Sequence, residues 1–142
     1  MPFHISPSLH TPEVLISPEE NRIVIKGSCF PEDSIEFFRP IKNFIVENKI
    51  FFTKDIEIHV ELTYINSSSQ RALYQILSEV LSDKNQLKLI IYQGEEDEEL
   101  ENLSLLVRYL RDFPWIQIKY EKGYYSGSTS STSSQETPPS KR

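Results

Sequence analysis

Residues 55–64, "DIEIHVELTY", alternate strictly: Ile56, Ile58, Val60, Leu62 and Tyr64 fall on one side of an extended chain, Glu57, His59, Glu61 and Thr63 on the other. A period of two marks a half-buried strand. Its polar face is wet or meets a partner, which crowds the helices onto the opposite side of the sheet, and His59 reads as a surface strand residue. "EVLIS" (13–17) and "NRIVIKGS" (21–28) are short β-rich runs around the turn signal "PEE" and predict an antiparallel hairpin. "LKLIIY" (87–92) and "WIQIKY" (115–120) predict two more strands.

Between these runs the period lengthens. Ile35, Phe38, Ile41 or Phe44, and Ile45 recur at spacings of three and four, predicting a helix over 33–48 with Glu32 and Asp33 at its start, where the helix dipole favours acids. Pro40 lies inside it and cannot donate a helical hydrogen bond, so a kink or a break is expected near Arg39. A second helix buries Leu73, Ile76, Leu77, Val80 and Leu81 and ends at "KNQ". A third opens in the acidic run, turns Leu103, Leu106, Val107 and Leu110 inward, and stops before Pro114.

From residue 55 onward, each strand-helix-strand passage crosses over right-handedly into a parallel pair. The chain therefore reads as α/β: a mixed sheet of about five strands with about three helices mostly on one face. The first ten residues, with Pro2 and Pro7, read as an extended lead-in, and 11–122 as the folded domain. Residues 123–142 hold ten Ser or Thr among twenty and read as a disordered tail.

A length of 142 residues suits one domain, and 38% apolar residues is enough to build a core. No apolar run reaches the roughly 18 residues that span a bilayer, and "MPFHISPSLH" lacks the basic start and apolar stretch of a secretion signal, so a cytoplasmic location with no membrane contact is expected. Cys29 is the single cysteine and reads as a small buried residue.

The net charge of -6 comes from "EEDEELE" (95–101), without which the balance is neutral. No basic stripe suits a phosphate backbone, which argues against nucleic acid; a protein partner with a basic patch fits better. The acidic run lacks the alternating donors and central Gly of a calcium loop and reads as a solvated helix start.

Catalytic signatures are missing. The histidines at 4, 10 and 59 lie on different elements, and there is no HExxH, GxSxG, P-loop or glycine-rich dinucleotide turn. No metal, cofactor or catalytic centre is implied. The enzyme alternative is a small hydrolase or transferase using a serine at 67–69 as nucleophile, with His59 as the nearest base in sequence. A constitutive structural subunit is a third reading.

The densest chemistry lies in "ELTYINSSSQRALYQIL" (61–77), where the strand feeds the second helix. Ser67 and Gln70 fit a capping box, in which the Ser67 hydroxyl bonds the Gln70 amide and the Gln70 side chain returns to the Ser67 amide, worth about 1 kcal/mol. Three serines exceed what a cap needs. A phosphate would find a helix N-terminus here, with Arg71 one turn away. Capping and a regulated phosphosite both fit this pattern.

"TPEV", "GSCFPEDS", "FFRP" and "LTYINSSSQRAL" together resemble the SiaC family of bacterial regulatory phosphoproteins, whose fold is similar to the STAS domains of anti-sigma-factor antagonists. The likeness covers roughly residues 10–120, and its junction motif is the most specific part. It implies a non-enzymatic switch phosphorylated just after the motif's Asn by a Ser/Thr kinase related to histidine-kinase ATPases, with a PP2C-type phosphatase reversing the mark. The unmodified form would bind a downstream target, a diguanylate cyclase in the best-known pathway of cyclic-di-GMP signalling. Carried onto this chain, the motif's Asn is Asn66 and the acceptor is Ser67. Ser68, Ser69 and Arg71 would flank the docking surface, with Ser68 and Ser69 as surface hydroxyls. The Ser-rich tail lies outside the resemblance and reads first as a solvated extension, with hydroxyls that could compete as phosphosites.

Overall fold

The sheet is held by six short runs of β-branched and aromatic residues: β1 (Phe3–Ile5), β2 (Glu13–Ser17), β3 (Arg22–Cys29), β4 (Ile56–Ile65), β5 (Leu87–Tyr92) and β6 (Ile116–Glu121). The structure, a computed structural model, describes residues 2–53, 55–81, 86–93 and 103–126. Spatial order follows chain order, β1-β2-β3-β4-β5-β6. The β1/β2 and β2/β3 pairs are antiparallel, and β3/β4, β4/β5 and β5/β6 are parallel. Among the described residues three helices lie in the parallel crossovers: α1 (Ser34–Glu47), α2 (Ser67–Gln75), which continues into a π turn at Ile76–Val80, and α3 (Ser104–Leu110). Right-handed crossovers that all step the same way place their helices on one face, and α2 lies between α1 and α3.

The mixed sheet with helices is as expected, but it has six strands rather than five. The extra strand lies in the lead-in, where Phe3–Ile5 pairs with Val14–Ile16. Three residues flanked by prolines are too few to show a period, yet they suit an edge strand, which leaves one row of backbone groups unpaired anyway.

One apolar layer fills the space between sheet and helices. Val14, Ile16, Ile23, Ile25, Ile58, Val60, Leu89 and Ile91 of the sheet meet Phe38, Ile41, Ile45, Leu73, Leu77, Leu106 and Leu110 of the helices. Each such side chain contributes about 1.5–3 kcal/mol when fully buried.

α1 runs unbroken through Pro40, against the expected kink or break into two segments. Pro40 lies on the exposed side, where water can take the carbonyl it leaves unbonded, while Phe38, Ile41 and Ile45 hold the opposite face in the core. The buried stripe starts at Ser34, so Ile35, expected inward, is 73% exposed. In α2 the expected face is buried at Leu73, Ile76, Leu77 and Leu81, with Val80 half-buried.

β4 departs from its sequence pattern in two places. Gly27 pairs with Leu62 but Ser28 pairs with Tyr64, so Thr63 is an extra residue in the ladder. Such a bulge reverses the side-chain parity beyond it: Ile65 turns into the core and Tyr64, expected inward, is 45% exposed. His59 is the second correction, because it is 8% exposed rather than a surface residue. Tyr125 lies against the helix-free face, where its amide donates to Glu61 Oε1 at 2.7 Å and its ring stands 4.7 Å from the His59 ring. The acidic run 95–101 and residues 127–142 of the Ser/Thr-rich tail lie outside the described residues, as does most of "KNQ".

Candidate functional site at the helix N-termini

Parallel strands deliver their carboxyl ends to one rim of the sheet, and α1 and α2 start there side by side. The Asn66 amide donates to the Cys29 carbonyl at 3.0 Å, which ties the start of α2 to the end of β3. Asp33 caps α1, its side chain accepting from the Glu36 amide at 3.1 Å.

Asn66, not Ser67, caps α2. Its Oδ1 accepts from the Ser69 amide at 3.0 Å, so Ser67 becomes the first helical residue and the expected capping box of Ser67 and Gln70 does not form. Asn and Ser are near-equal caps, and here the bond from Asn66 to β3 sets the helix start one residue earlier. Gln70 turns inward instead, and its Oε1 accepts from the Leu106 amide at 3.0 Å. That amide lies in the first turn of α3, whose own cap position, Leu103, supplies no side-chain bond.

The three serines thus have three environments. Ser69 is 0% exposed, so the expectation of a surface hydroxyl is corrected there. Its Oγ lies 3.0 Å from Ser34 Oγ, and Ser34 Oγ is also 2.6 Å from Ser68 Oγ. Ser69 further hydrogen-bonds the Cys29 thiol, whose pKa burial pushes up to about 11 against the opposing pull of that bond. Ser68 is exposed but engaged by Ser34. Ser67 is exposed, and its hydroxyl bonds no described residue.

Arg71 follows one turn later on α2, exposed and without an ion pair to any described residue. Between α2 and α3 runs a groove of about 360 Å³, lined among others by Ser67, Arg71, Tyr74, Leu105, Leu106 and Tyr109. Tyr74 and Tyr109 meet edge to face with centroids 5.8 Å apart.

Sequence reasoning missed Ser34 and an aromatic ridge on the rim. His10, Phe30 and Tyr64 stack edge to face at 4.9 and 5.6 Å, and the Phe30 amide donates to the His10 carbonyl at 2.8 Å. Phe30 and Ser34 both sit in "GSCFPEDS", a stretch noted for its likeness and not for its chemistry.

Among the described residues the junction serines and His59 do not come together. His59 lies on the helix-free face, away from the serines: Nε2 donates to Glu57 Oε1 at 3.0 Å, and Nδ1 shares a 2.8 Å bond with the Tyr92 hydroxyl. The base required by the serine-nucleophile alternative is therefore on the wrong side of the sheet. Among the described residues no group of three or more His, Cys, Asp or Glu could hold a metal, and no helix is long and apolar enough to cross a membrane.

The profile described as SiaC family regulatory phosphoprotein matches residues 5–122. The chain belongs to the SiaC family. Its fold is similar to that of SiaC of Pseudomonas aeruginosa, with a TM-score of 0.68 at 19% identity over 86% of this chain and 98% of that chain. The crystal structure of diguanylate cyclase SiaD in complex with its activator SiaC, from the same organism, matches at a TM-score of 0.68 and 21% identity, covering 84% of this chain and 99% of the other. Apo-SiaC matches at 0.66 and 20%, covering 84% and 98%. No curated protein matches this chain in sequence. At these identities the likeness to the solved structures is one of fold, while the SiaC-family match identifies this chain as a regulatory phosphoprotein.

Proposed function

We propose that this SiaC-family protein is a non-enzymatic switch that binds a diguanylate cyclase when Ser67 is unmodified and releases it when Ser67 is phosphorylated. One observation carries the choice of residue: of the three junction serines, only Ser67 offers an exposed hydroxyl with no competing hydrogen bond to a described residue. A Ser/Thr kinase related to histidine-kinase ATPases adds the phosphate and a PP2C-type phosphatase removes it. Support for the target comes from the relative SiaC, which is named as the activator of the diguanylate cyclase SiaD.

The physical step is electrostatic. A phosphate adds about two negative charges and three acceptor oxygens at the first turn of α2, where the helix dipole favours an anion and the backbone need move little. Asn66, Ser68, Arg71 and the Phe30–Tyr64 ridge form the surrounding docking surface. Buried Ser69 supports it from below. A target that packs there must desolvate the new charge or leave.

Site mapping by mass spectrometry, before and after phosphatase treatment of protein from its native cells, tests the reading. A single mark at Ser67 is expected, together with loss of cyclase binding in Ser67→Asp and retention in Ser67→Ala. Marks confined to the Ser/Thr-rich tail would sink it.

A further inference from the structure

We infer that a phosphate on Ser67 is held by Arg71, and that this pair closes the mouth of the groove between α2 and α3. The inference rests on Ser67 as the modified residue and adds what the modification does to the surface beside it.

Ser67 and Arg71 stand four residues apart on α2, and both line the groove. Residues at this spacing are neighbours on a helix surface, and an anion placed N-terminal to a cation is the favourable order. Arg71 has no acid to compete for it along its own helix. Its neighbours three and four residues away are Ser67, Ser68, Tyr74 and Gln75, all neutral. Glu79, the acid on the groove wall, lies two turns on, about 12 Å along the helix axis. Among the described residues, Arg71 is the one cation on the wall, and it has no ion-pair partner there before Ser67 acquires charge.

A phosphoserine changes that. Its oxygens match the planar fork of a guanidinium better than any neutral partner within reach. Drawn toward residue 67, the Arg71 side chain lies across the end of the groove that Tyr74 and buried Leu106 line, with Leu105 and Tyr109 partly exposed on the α3 side. A cyclase docked over Ser67 would meet an open, largely apolar groove in one state and a bulky ion pair in the other. Release then follows from a side-chain rearrangement without refolding.

The test uses full-length protein with phosphoserine encoded at position 67, so no kinase is needed. Phosphorus NMR should show the phosphate titrating about half a pH unit lower with Arg71 present than in Arg71→Ala, with Arg71→Lys between them. The comparison removes the contribution of the helix dipole, which both proteins share. Methyl resonances of Leu105 and Leu106 should move on phosphorylation of the parent and stay put in Arg71→Ala. Equal titration midpoints, or methyl shifts indifferent to Arg71, would overturn the inference. Because the phosphate is installed synthetically, failure here leaves the assignment of Ser67 standing, and marks elsewhere in native cells would leave this result standing.

Discussion

Ser34, in the first turn of α1, shares a 2.6 Å hydrogen bond with the hydroxyl of Ser68, in the first turn of α2. The same Ser34 oxygen reaches Ser69 at 3.0 Å, so one buried hydroxyl joins the starts of two helices. It also occupies two of the three serines that a kinase would otherwise find side by side.

Ser34→Ala should therefore do two separable things. Loss of these bonds is expected to cost about 1–2 kcal/mol in urea unfolding, since the partly buried partners lose a hydrogen bond. Kinase labelling should also spread from Ser67 to Ser68, read by site mapping of the phosphorylated product. Labelling that stays at Ser67 alone would show that the kinase, not the hydroxyl network, selects the residue.

Capping at Asn66 gives a sharper contrast than the serines themselves. Asn66→Ala should cost about 1 kcal/mol, and Gln70→Ala about 1–3 kcal/mol because it strands the buried Leu106 amide. Ser67→Ala, which removes an exposed and unengaged hydroxyl, should stay within about 0.5 kcal/mol of the parent. Had the capping box formed, Ser67→Ala would instead lose a full cap. Urea midpoints of the three variants decide between the two arrangements.

That contrast marks how far the sequence could be read. The alternation of residues 55–64 predicts β4 because periodicity survives without knowledge of the neighbours. The bulge at Thr63 does not show, because it exists only against Gly27 and Ser28 of a strand some 35 residues away. Asn66 and Ser67 are both good caps one residue apart, and a tie from the Asn66 amide to Cys29 decides between them. Gln70 satisfied a local pattern but found a better partner across the helix layer. His59 looked solvated since its cover, Tyr125, stands in a stretch dominated by Ser, Gly and Thr. Periodicity within an element was legible in the sequence; bonds made between distant segments, which also decided the helix cap, were not.

Cys29 should behave as an inert thiol. Burial holds its pKa at about 11, so at pH 8 on the order of one molecule in a thousand carries the thiolate that an alkylating reagent attacks. Iodoacetamide labelling is expected to track global unfolding, with no reaction in native buffer over hours. The raised value also has a sign for stability: the thiol's contribution is intact below the unfolded thiol's pKa, near 9, and fades as pH climbs toward 11. Prompt labelling of the folded protein would show that the layer beneath Ser69 opens readily.

The helix-free face carries a pH dependence of the opposite sense. His59 donates to Glu57 and, by that hydrogen bond first, holds the Glu57 carboxyl below its usual value of 4.5. A depressed carboxylate stabilises the fold above its unfolded pKa, and that contribution disappears as pH falls through the lower, folded value. Glu57 keeps 43% of its side chain exposed, so solvent screening limits the effect to on the order of 0.5 kcal/mol. Glu57→Gln should thus unfold at lower urea than the parent at pH 7, and the gap should close as pH is lowered from about 5 to below 4. Tyr125→Ala, which takes the aromatic cover from His59, should shrink the gap at pH 7 by letting water reach the pair. A gap that holds constant down to pH 3 would mean that the Glu57 carboxylate is not what His59 stabilises.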